Sequence, residues 1–251
     1  MRILMAGCGK MGGALLRRWA AETPHDFVVV DPAGPETPDG VVAHKSIEPL
    51  TGQVFDVLIV AVKPQMIEAV APNYAEVLSS DALVVSMAAG FSIDNLARVF
   101  GGRPAARIMP NLPVEIGRGV SGALLGAACG PPHKSFVQAL MAPTGALIWL
   151  ETEDGLDRFT AMAGSGPGYV FEIARLFGAA TEALGFSPSE ARDMVLATLQ
   201  GAAELAQQSD RSLEDWRNAV TSKNGVTQAG LDVLMADGAL AERLEDVLKA
   251  A

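Results

Sequence analysis

The 251-residue chain is poor in cysteine, with only Cys8 and Cys129. Two thiols so far apart cannot build a disulfide framework, which points to a reducing compartment. Its three histidines, His25, His44 and His133, are scattered without the spacing of metal ligands, so no metal centre is expected. Basic residues are outnumbered, 19 Lys and Arg against 29 Asp and Glu, for a formal net charge of −10. No Lys/Arg cluster stands out, which argues against a nucleic-acid surface. The longest apolar stretches, near 57–62 and 82–91, fall well short of a bilayer span, so no membrane partner is expected. The first residues enter a strand directly, without the charged region and cleavage site of a signal peptide, so a cytoplasmic location is expected. What remains is 49% hydrophobic and 19% charged, enough for a substantial core in one large domain or two modest ones.

The first dozen residues organise the chain. Met1 to Ala6 form an apolar run suited to a buried strand, followed at once by Gly7-Cys8-Gly9-Lys10-Met11-Gly12, a complete G-x-G-x-x-G. A helical pattern succeeds it, so the strand–turn–helix context that the motif needs is present. Gly7 permits the tight turn, Gly9 lets backbone approach a pyrophosphate, and Gly12 lets helix pack on strand. The helix N-terminus then points free N–H groups at the anion. A dinucleotide site is the reading of this stretch, against a plain tight turn.

Strands and helices alternate through the first half. A helix is expected over 10–21, packing through Met11, Leu15, Leu16 and Trp19, and Pro24 ends it. A strand over 27–30 finishes at Asp31-Pro32, about twenty residues past the last motif glycine, where an acid accepts a ribose 2′-hydroxyl. Asp31 has two readings of equal weight: it binds the adenosine ribose and repels the 2′-phosphate of NADP, or it simply opens an Asp-Pro turn. Further strands are expected at 56–62, 82–87 and 105–109, with a minor one at 41–43, and a helix from the Lys63-Pro64-Gln65 loop through about Leu78. Another helix should start after Ser92 as N-cap and run to about Phe100. Candidate strands at 117–126 and 146–150, with a helix at 132–141 between them, should extend the same sheet. Such alternation implies a parallel, doubly wound sheet of Rossmann type, with ligands beyond the carboxyl ends of its strands. The segments leaving those ends include Lys63-Pro64-Gln65, Ala88-Ala89-Gly90 and Met109-Pro110-Asn111, small, Pro-fixed or polar groups suited to a cofactor cleft.

From 153 onward helical periodicity takes over, so the domains are expected at 1–152 and 153–251. Val170, Ile173, Ala174, Phe177, Thr181 and Leu184 share one helix face. Gly185 ends that helix, and Ser187-Pro188 opens the next, striped by Ala191, Met194, Val195, Thr198, Ala202 and Leu205. Three shorter helices follow, around 213–220, 226–235 and 239–250. An all-α region of this size is expected to pair with a copy of itself. Two loops look chemical beyond that: 160–169, where Gly164-Ser165-Gly166-Pro167 opens a helix, and 220–227, Val-Thr-Ser-Lys-Asn-Gly-Val-Thr. Either can be ordinary capping. Together with a nucleotide cleft they point to a small anionic substrate.

These motifs, in this order, resemble the pyrroline-5-carboxylate reductase family over essentially the full length. The resemblance rests on the opening at 7–14, Ala61-Val62-Lys63-Pro64-Gln65, Ser86-Met87-Ala88-Ala89-Gly90, Arg107 to Pro113, Thr160 to Tyr169 and Val220 to Leu231. It implies hydride transfer from NADPH or NADH to C5 of 1-pyrroline-5-carboxylate, giving L-proline. It also implies an N-terminal dinucleotide domain and a helical domain for dimerisation and substrate binding, in a homodimer or a ring of dimers. Carried over residue by residue, Gly7, Cys8, Gly9, Lys10, Met11, Gly12, Asp31, Ala61, Val62, Lys63, Pro64, Ala88, Ala89, Met109 and Asn111 would meet the cofactor. Lys63, Met109 and Asn111 would lie at its nicotinamide end. Ser222, Asn224, Gly225, Val226 and Thr227 would hold the substrate carboxylate, and Asp210 stands roughly where the family has a carboxylate near the substrate nitrogen. Catalytic roles fall to Lys63, Ser222 and Thr227, with Thr227 assisting protonation of the ring nitrogen. The chain departs from the family's Ser-Pro-Gly-Gly-x-Thr pattern with Lys223-Asn224 for Pro-Gly. Asp31-Pro32 replaces the polar or basic residues many members place around a 2′-phosphate, leaning the preference towards NADH. A reductase of another cyclic imine, or a non-catalytic dinucleotide-binding module, shares many of these features.

Overall fold

The computed structural model describes residues 1–251, which divide into two compact units, Met1–Pro167 and Gly168–Ala251. The first unit is built on an eight-stranded sheet in the order β3-β2-β1-β4-β5-β6-β7-β8. In chain order its strands are β1 (Arg2–Ala6), β2 (Asp26–Val30), β3 (Val42–His44), β4 (Phe55–Val60), β5 (Leu78–Ser86), β6 (Ala105–Pro110), β7 (Gly119–Leu125) and β8 (Gly145–Trp149). The helices are α1 (Lys10–Glu22), α2 (Ile67–Ala75), α3 (Ile93–Val99), α4 (Pro131–Met141) and α5 (Glu153–Phe159).

Period-two alternation sorts the strand residues into two cores. Leu4, Ala6, Leu58, Val60 and Val84 face α2, α3 and α5 through Ile67, Ala71, Leu96 and Leu156. Ile3, Met5, Val57, Ile59 and Val85 face α1 and α4 through Leu15, Leu16, Trp19, Val137 and Leu140. Both faces are covered, which is why β4 reads as an almost unbroken apolar run. Strand order reverses about β1, the switch point at which such sheets bind ligands.

Two expectations need correction. The helix expected through Leu78 stops at Ala75, because Leu78 already pairs with Phe55 as the first residue of β5. β7 extends the sheet but runs antiparallel to β6. The connection between them is too short for the crossover of a dozen or more residues that a parallel pair needs. The first compact unit runs to Pro167 and takes in α5, whose Leu156 is fully buried in the sheet's core.

At the amino-terminal end of β2, the His25 ring lies 5.6 Å from that of Phe136 and 6.4 Å from that of Phe27. Burial holds the imidazole below its ordinary pKa, and the Met1 ammonium adds to the effect against Asp26. The folded chain therefore binds this proton less well than the unfolded chain, so stability falls as pH drops through the ordinary histidine range towards the lowered value. His25→Leu is expected to lose less melting temperature than the unsubstituted chain between about pH 7.5 and about pH 5.5.

The second unit is all helix. α6 (Gly166–Ala183) leads into it, followed by α7 (Pro188–Gln207), α8 (Leu213–Ala219), α9 (Val226–Leu234) and α10 (Ala239–Ala250). Gly185, at φ +99°, turns the chain between α6 and α7. A capping box between Ser187 and Glu190 then opens α7. Across these five helices only Gly166 and Ala191 are buried. Val170, Phe177 and Leu184 are 51%, 50% and 79% exposed, so the apolar face expected on α6 lacks a partner within one chain.

Candidate active site

The first group of site residues converges on the carboxyl edge of the sheet. The Gly7 N–H donates to the Val30 carbonyl at 2.8 Å and the Ala61 N–H to the Ala6 carbonyl at 2.8 Å, drawing the ends of β1, β2 and β4 together. Gly7 sits at φ +86°, and a Cβ there would lie 2.8 Å from the Ala61 carbonyl oxygen. At Gly12 a Cβ would meet the Met5 Cε at 2.6 Å and the Ala61 Cβ at 3.3 Å. Both glycines are thus explained by the protein's own packing. Gly9 is different: its φ of −69° suits any residue, and a Cβ there would meet nothing within 4 Å. The fold gives no steric reason for glycine at this position, whereas a pyrophosphate lying against the start of α1 does. Lys10 and Met11 begin that helix, Lys10 exposed and Met11 half-buried.

Asp31 directly follows β2 at this edge. One carboxylate oxygen accepts the Cys8 N–H at 2.7 Å, inside the glycine motif, and the other accepts the Ala33 N–H at 2.8 Å. The turn reading is therefore correct as far as Oδ1 goes, while Oδ2 ties the acid to the motif loop. Each oxygen keeps a free lone pair for a sugar hydroxyl. Burial pushes the Tyr74 phenol up to about 12, with the Asp31 charge adding to the rise. Burial and then Asp31 raise the Cys8 thiol against the pull of Arg17, so it stays protonated at neutral pH.

Further along the edge, Ala61 and Val62 are half-buried beneath the motif loop. Lys63 is exposed, in extended backbone, just before a short 3-10 turn that begins at Pro64. Ala88 is buried and Ala89 exposed. Met109 belongs to the core at 8% exposure. Asn111, 7% exposed, has its amide engaged on both sides: Oδ1 accepts the Val120 N–H at 2.9 Å, and Nδ2 donates to the Ala163 carbonyl at 3.0 Å.

Two features of this end escape the sequence reading. Arg107 is 2% exposed and pairs with Glu153 at the start of α5. Its other terminal nitrogen donates to the Ala88 carbonyl at 3.1 Å, and Glu153 also accepts the Ile93 N–H at 2.6 Å, at the head of α3. A charge inside the apolar run Ala105-Ala106-Arg107-Ile108-Met109 is the signal that points to such a pair. The second is helical continuity. Gly164-Ser165-Gly166-Pro167 was expected to open a helix with free N–H groups. α6 does begin at Gly166, but α5 leads towards it through a π turn (Thr160–Gly164), and the Ser165 N–H is not free: it donates to the Thr160 carbonyl at 3.1 Å. Single π turns of this kind are frequent at functional sites.

The remaining site residues lie in the second unit. The Ser222 carbonyl accepts the Gly225 N–H at 2.9 Å, and Asn224 takes φ +59°. Asn is among the few non-glycine residues that tolerate this left-handed conformation, which explains how Asn224 can stand where relatives of this pattern use glycine. Gly225 caps α9 with no side-chain hydrogen bond, leaving the first-turn N–H groups from Val226 and Thr227 onward without a capping side chain. Thr227 and Ser222 are exposed there, beside Lys223. Asp210 is exposed in the link before α8. The proposed cofactor residues lie at or just after the carboxyl ends of β1, β2, β4, β5 and β6 in the first unit, and the proposed carboxylate residues lie in the second.

Residues 153–251 match the family described as pyrroline-5-carboxylate reductase dimerisation, and residues 2–90 match NADP oxidoreductase, coenzyme F420-dependent. The pyrroline-5-carboxylate reductase of Pseudomonas aeruginosa is 32% identical over 94% of this chain and 89% of its own length. The chain belongs to the pyrroline-5-carboxylate reductase family. This is an NAD(P)H-dependent oxidoreductase family. The pyrroline-5-carboxylate reductase structure from Coxiella burnetii superposes with a TM-score of 0.87 at 27% identity, covering 99% of this chain and 94% of that one. A Plasmodium falciparum pyrroline carboxylate reductase, solved with NADP bound, shares the fold at a TM-score of 0.87 and 24% identity, over 100% of this chain and 95% of that one. No helix is long and apolar enough to cross a membrane.

Proposed function

We propose that the chain reduces 1-pyrroline-5-carboxylate to L-proline, adding a hydride to C5 and a proton to the ring nitrogen. The observation that carries the cofactor side is Gly9, at the start of the motif helix, where nothing in the chain's own packing excludes a Cβ. When bound, NAD(P)H supplies the hydride, and a protonated imine is already electrophilic. The protein's work is then to orient two carbons and keep out water.

The N–H groups of Asn224 and Val226, with Ser222, hold the substrate carboxylate at the start of α9, where the helix dipole favours an anion; the Gly225 N–H, expected to join them, is taken by the Ser222 carbonyl and only shapes the loop. Lys223 adds a positive charge to that loop. Thr227 hydrogen-bonds the ring nitrogen and assists its protonation, and Lys63 stands at the nicotinamide end of the first unit's cleft. The exposed faces of α6 and α7 are covered by a second copy of the chain, since apolar surface of this extent marks an association site.

The preferred cofactor is NADH. Asp31 is fixed by two backbone N–H groups, and residues 31–44 contain Glu36 and Asp39 but no Lys or Arg to meet a 2′-phosphate. Asp31→Ser is expected to shift the NADH-to-NADPH ratio of kcat/KM towards NADPH by about tenfold, roughly 1.4 kcal/mol. Asp31→Asn, which keeps one acceptor and loses the charge, should shift it in the same direction. A strong NADPH preference in the unsubstituted chain overturns this assignment and would turn attention to Lys45, against which a Cβ on Gly34 would lie at 3.1 Å from Cε.

The reaction is tested by cofactor oxidation with pyrroline-5-carboxylate and with its six-membered analogue, each run with NADH and NADPH. Turnover highest with the five-membered imine supports the proposal. Faster turnover of the six-membered ring assigns another cyclic imine, and no turnover with either overturns the enzyme reading.

A further inference from the structure

Asn111 follows the last residue of β6, and the family resemblance put it at the nicotinamide. Its side chain is occupied elsewhere. The amide oxygen holds the Val120 N–H of β7 at 2.9 Å, and the amide nitrogen reaches the Ala163 carbonyl at 3.0 Å. Ala163 lies in the π turn, and the residue four positions on is Pro167. In an α-helix that residue's N–H would serve the Ala163 carbonyl, but proline has none. A carbonyl left open in a half-buried helix costs free energy unless another donor reaches it. Asn111 Nδ2 is that donor. The same strand grips the start of this segment as well, since Arg107 pairs with Glu153, the first residue of α5.

We infer that Asn111 is a positioning residue: it supplies the hydrogen bond that Pro167 cannot, and so holds the π turn and the Gly164-Ser165 stretch against the carboxyl end of β6. Its effect on the reaction proposed above, on which the kinetic part of this inference rests, is through the placement of that stretch and not through contact with the cofactor. Asn111 and Pro167 are therefore coupled. Each makes sense of the other.

The test is a double-variant cycle on the full chain, Asn111→Ala, Pro167→Ala and both together, read by kcat, by NADH and NADPH affinity from fluorescence titration, and by melting temperature. Asn111→Ala is expected to lower kcat roughly ten- to hundredfold while each cofactor's Kd changes by less than about twofold. Pro167→Ala returns an N–H to the Ala163 carbonyl, so the further loss on adding Asn111→Ala, in kcat and in melting temperature, is expected to be smaller in that background. A weakening of cofactor binding by about tenfold or more with no coupling to Pro167 overturns the inference in favour of a cofactor ligand. Unchanged kcat and Kd overturn it outright. Should Asn111→Ala not fold, Asn111→Asp takes its place. The carboxylate keeps the Val120 bond but faces the Ala163 carbonyl without a donor, whereas the protonated acid regains one. Its activity relative to the unsubstituted chain should then rise as pH falls, and a flat ratio contradicts the inference. If the unsubstituted chain turns over no imine, the proposed reaction fails, and the melting-temperature coupling still decides the role of Asn111.

Discussion

Gly9→Ala is expected to weaken NADH and NADPH binding by at least about tenfold, near 1.4 kcal/mol, with the thermal transition of the ligand-free chain almost unmoved. The two other motif glycines cannot make this separation. Gly7→Ala forces a side chain into φ +86° and against the Ala61 backbone, so it damages the fold and the site together. Gly12→Ala presses on Met5 and Ala61 beneath the helix. At Gly9 the backbone is unstrained and the space around a Cβ is empty. Alanine is a poorer N-cap than glycine, which costs a fraction of a kilocalorie, and the reduced freedom of the unfolded chain offsets it. Loss of binding with retained stability is the signature of a glycine kept for a ligand. Equal binding by Gly9→Ala would mean that no phosphate lies against the start of α1.

The second large effect is expected at Glu153. Glu153→Ala strands the Arg107 guanidinium, 2% exposed, with only the Ala88 carbonyl as a hydrogen-bond partner. Breaking a buried pair from this side costs about 3 kcal/mol, read as a melting temperature lower by roughly 6–12 °C. Arg107→Met should cost less, because the Glu153 side chain, 35% exposed, can recover part of its hydration and leaves no buried charge. The two variants together therefore separate the pair's attraction from the penalty of an orphaned charge. A loss on Glu153→Ala no larger than about 0.5 kcal/mol, the range of ordinary surface substitutions, would show that the pair does not hold α5 to β6.

Much of this molecule is written locally. The glycine motif follows a strand and opens a helix, Ser92 caps α3 by accepting the Asn95 N–H at 3.3 Å, and Ser187-Pro188 opens α7 through a capping box. Such features depend on residues within one turn of each other, so periodicity and capping chemistry suffice to find them. The errors arise where distant partners decide. Leu78 leaves the helical pattern because Phe55 pairs with it across the sheet. Thr160 to Gly166 reads as a loop and helix start because glycine, serine and proline favour both, yet Asn111, some fifty residues earlier, supplies the bond that lets the helix continue past Pro167. Arg107 was legible as an anomaly in an apolar strand, but its partner was not, since Glu153 looks like any acid in the first turn of a helix. The antiparallel course of β7 was missed, although the short connection from β6 carries the signal for it.

The most direct test of the account is the fate of the hydride. The chain is incubated with 1-pyrroline-5-carboxylate and NADH deuterated at both C4 positions, and the product is analysed by mass spectrometry. L-proline carrying one deuterium at C5 is the predicted result. Cofactor oxidation without labelled proline, or no oxidation at all with either NADH or NADPH, would contradict it.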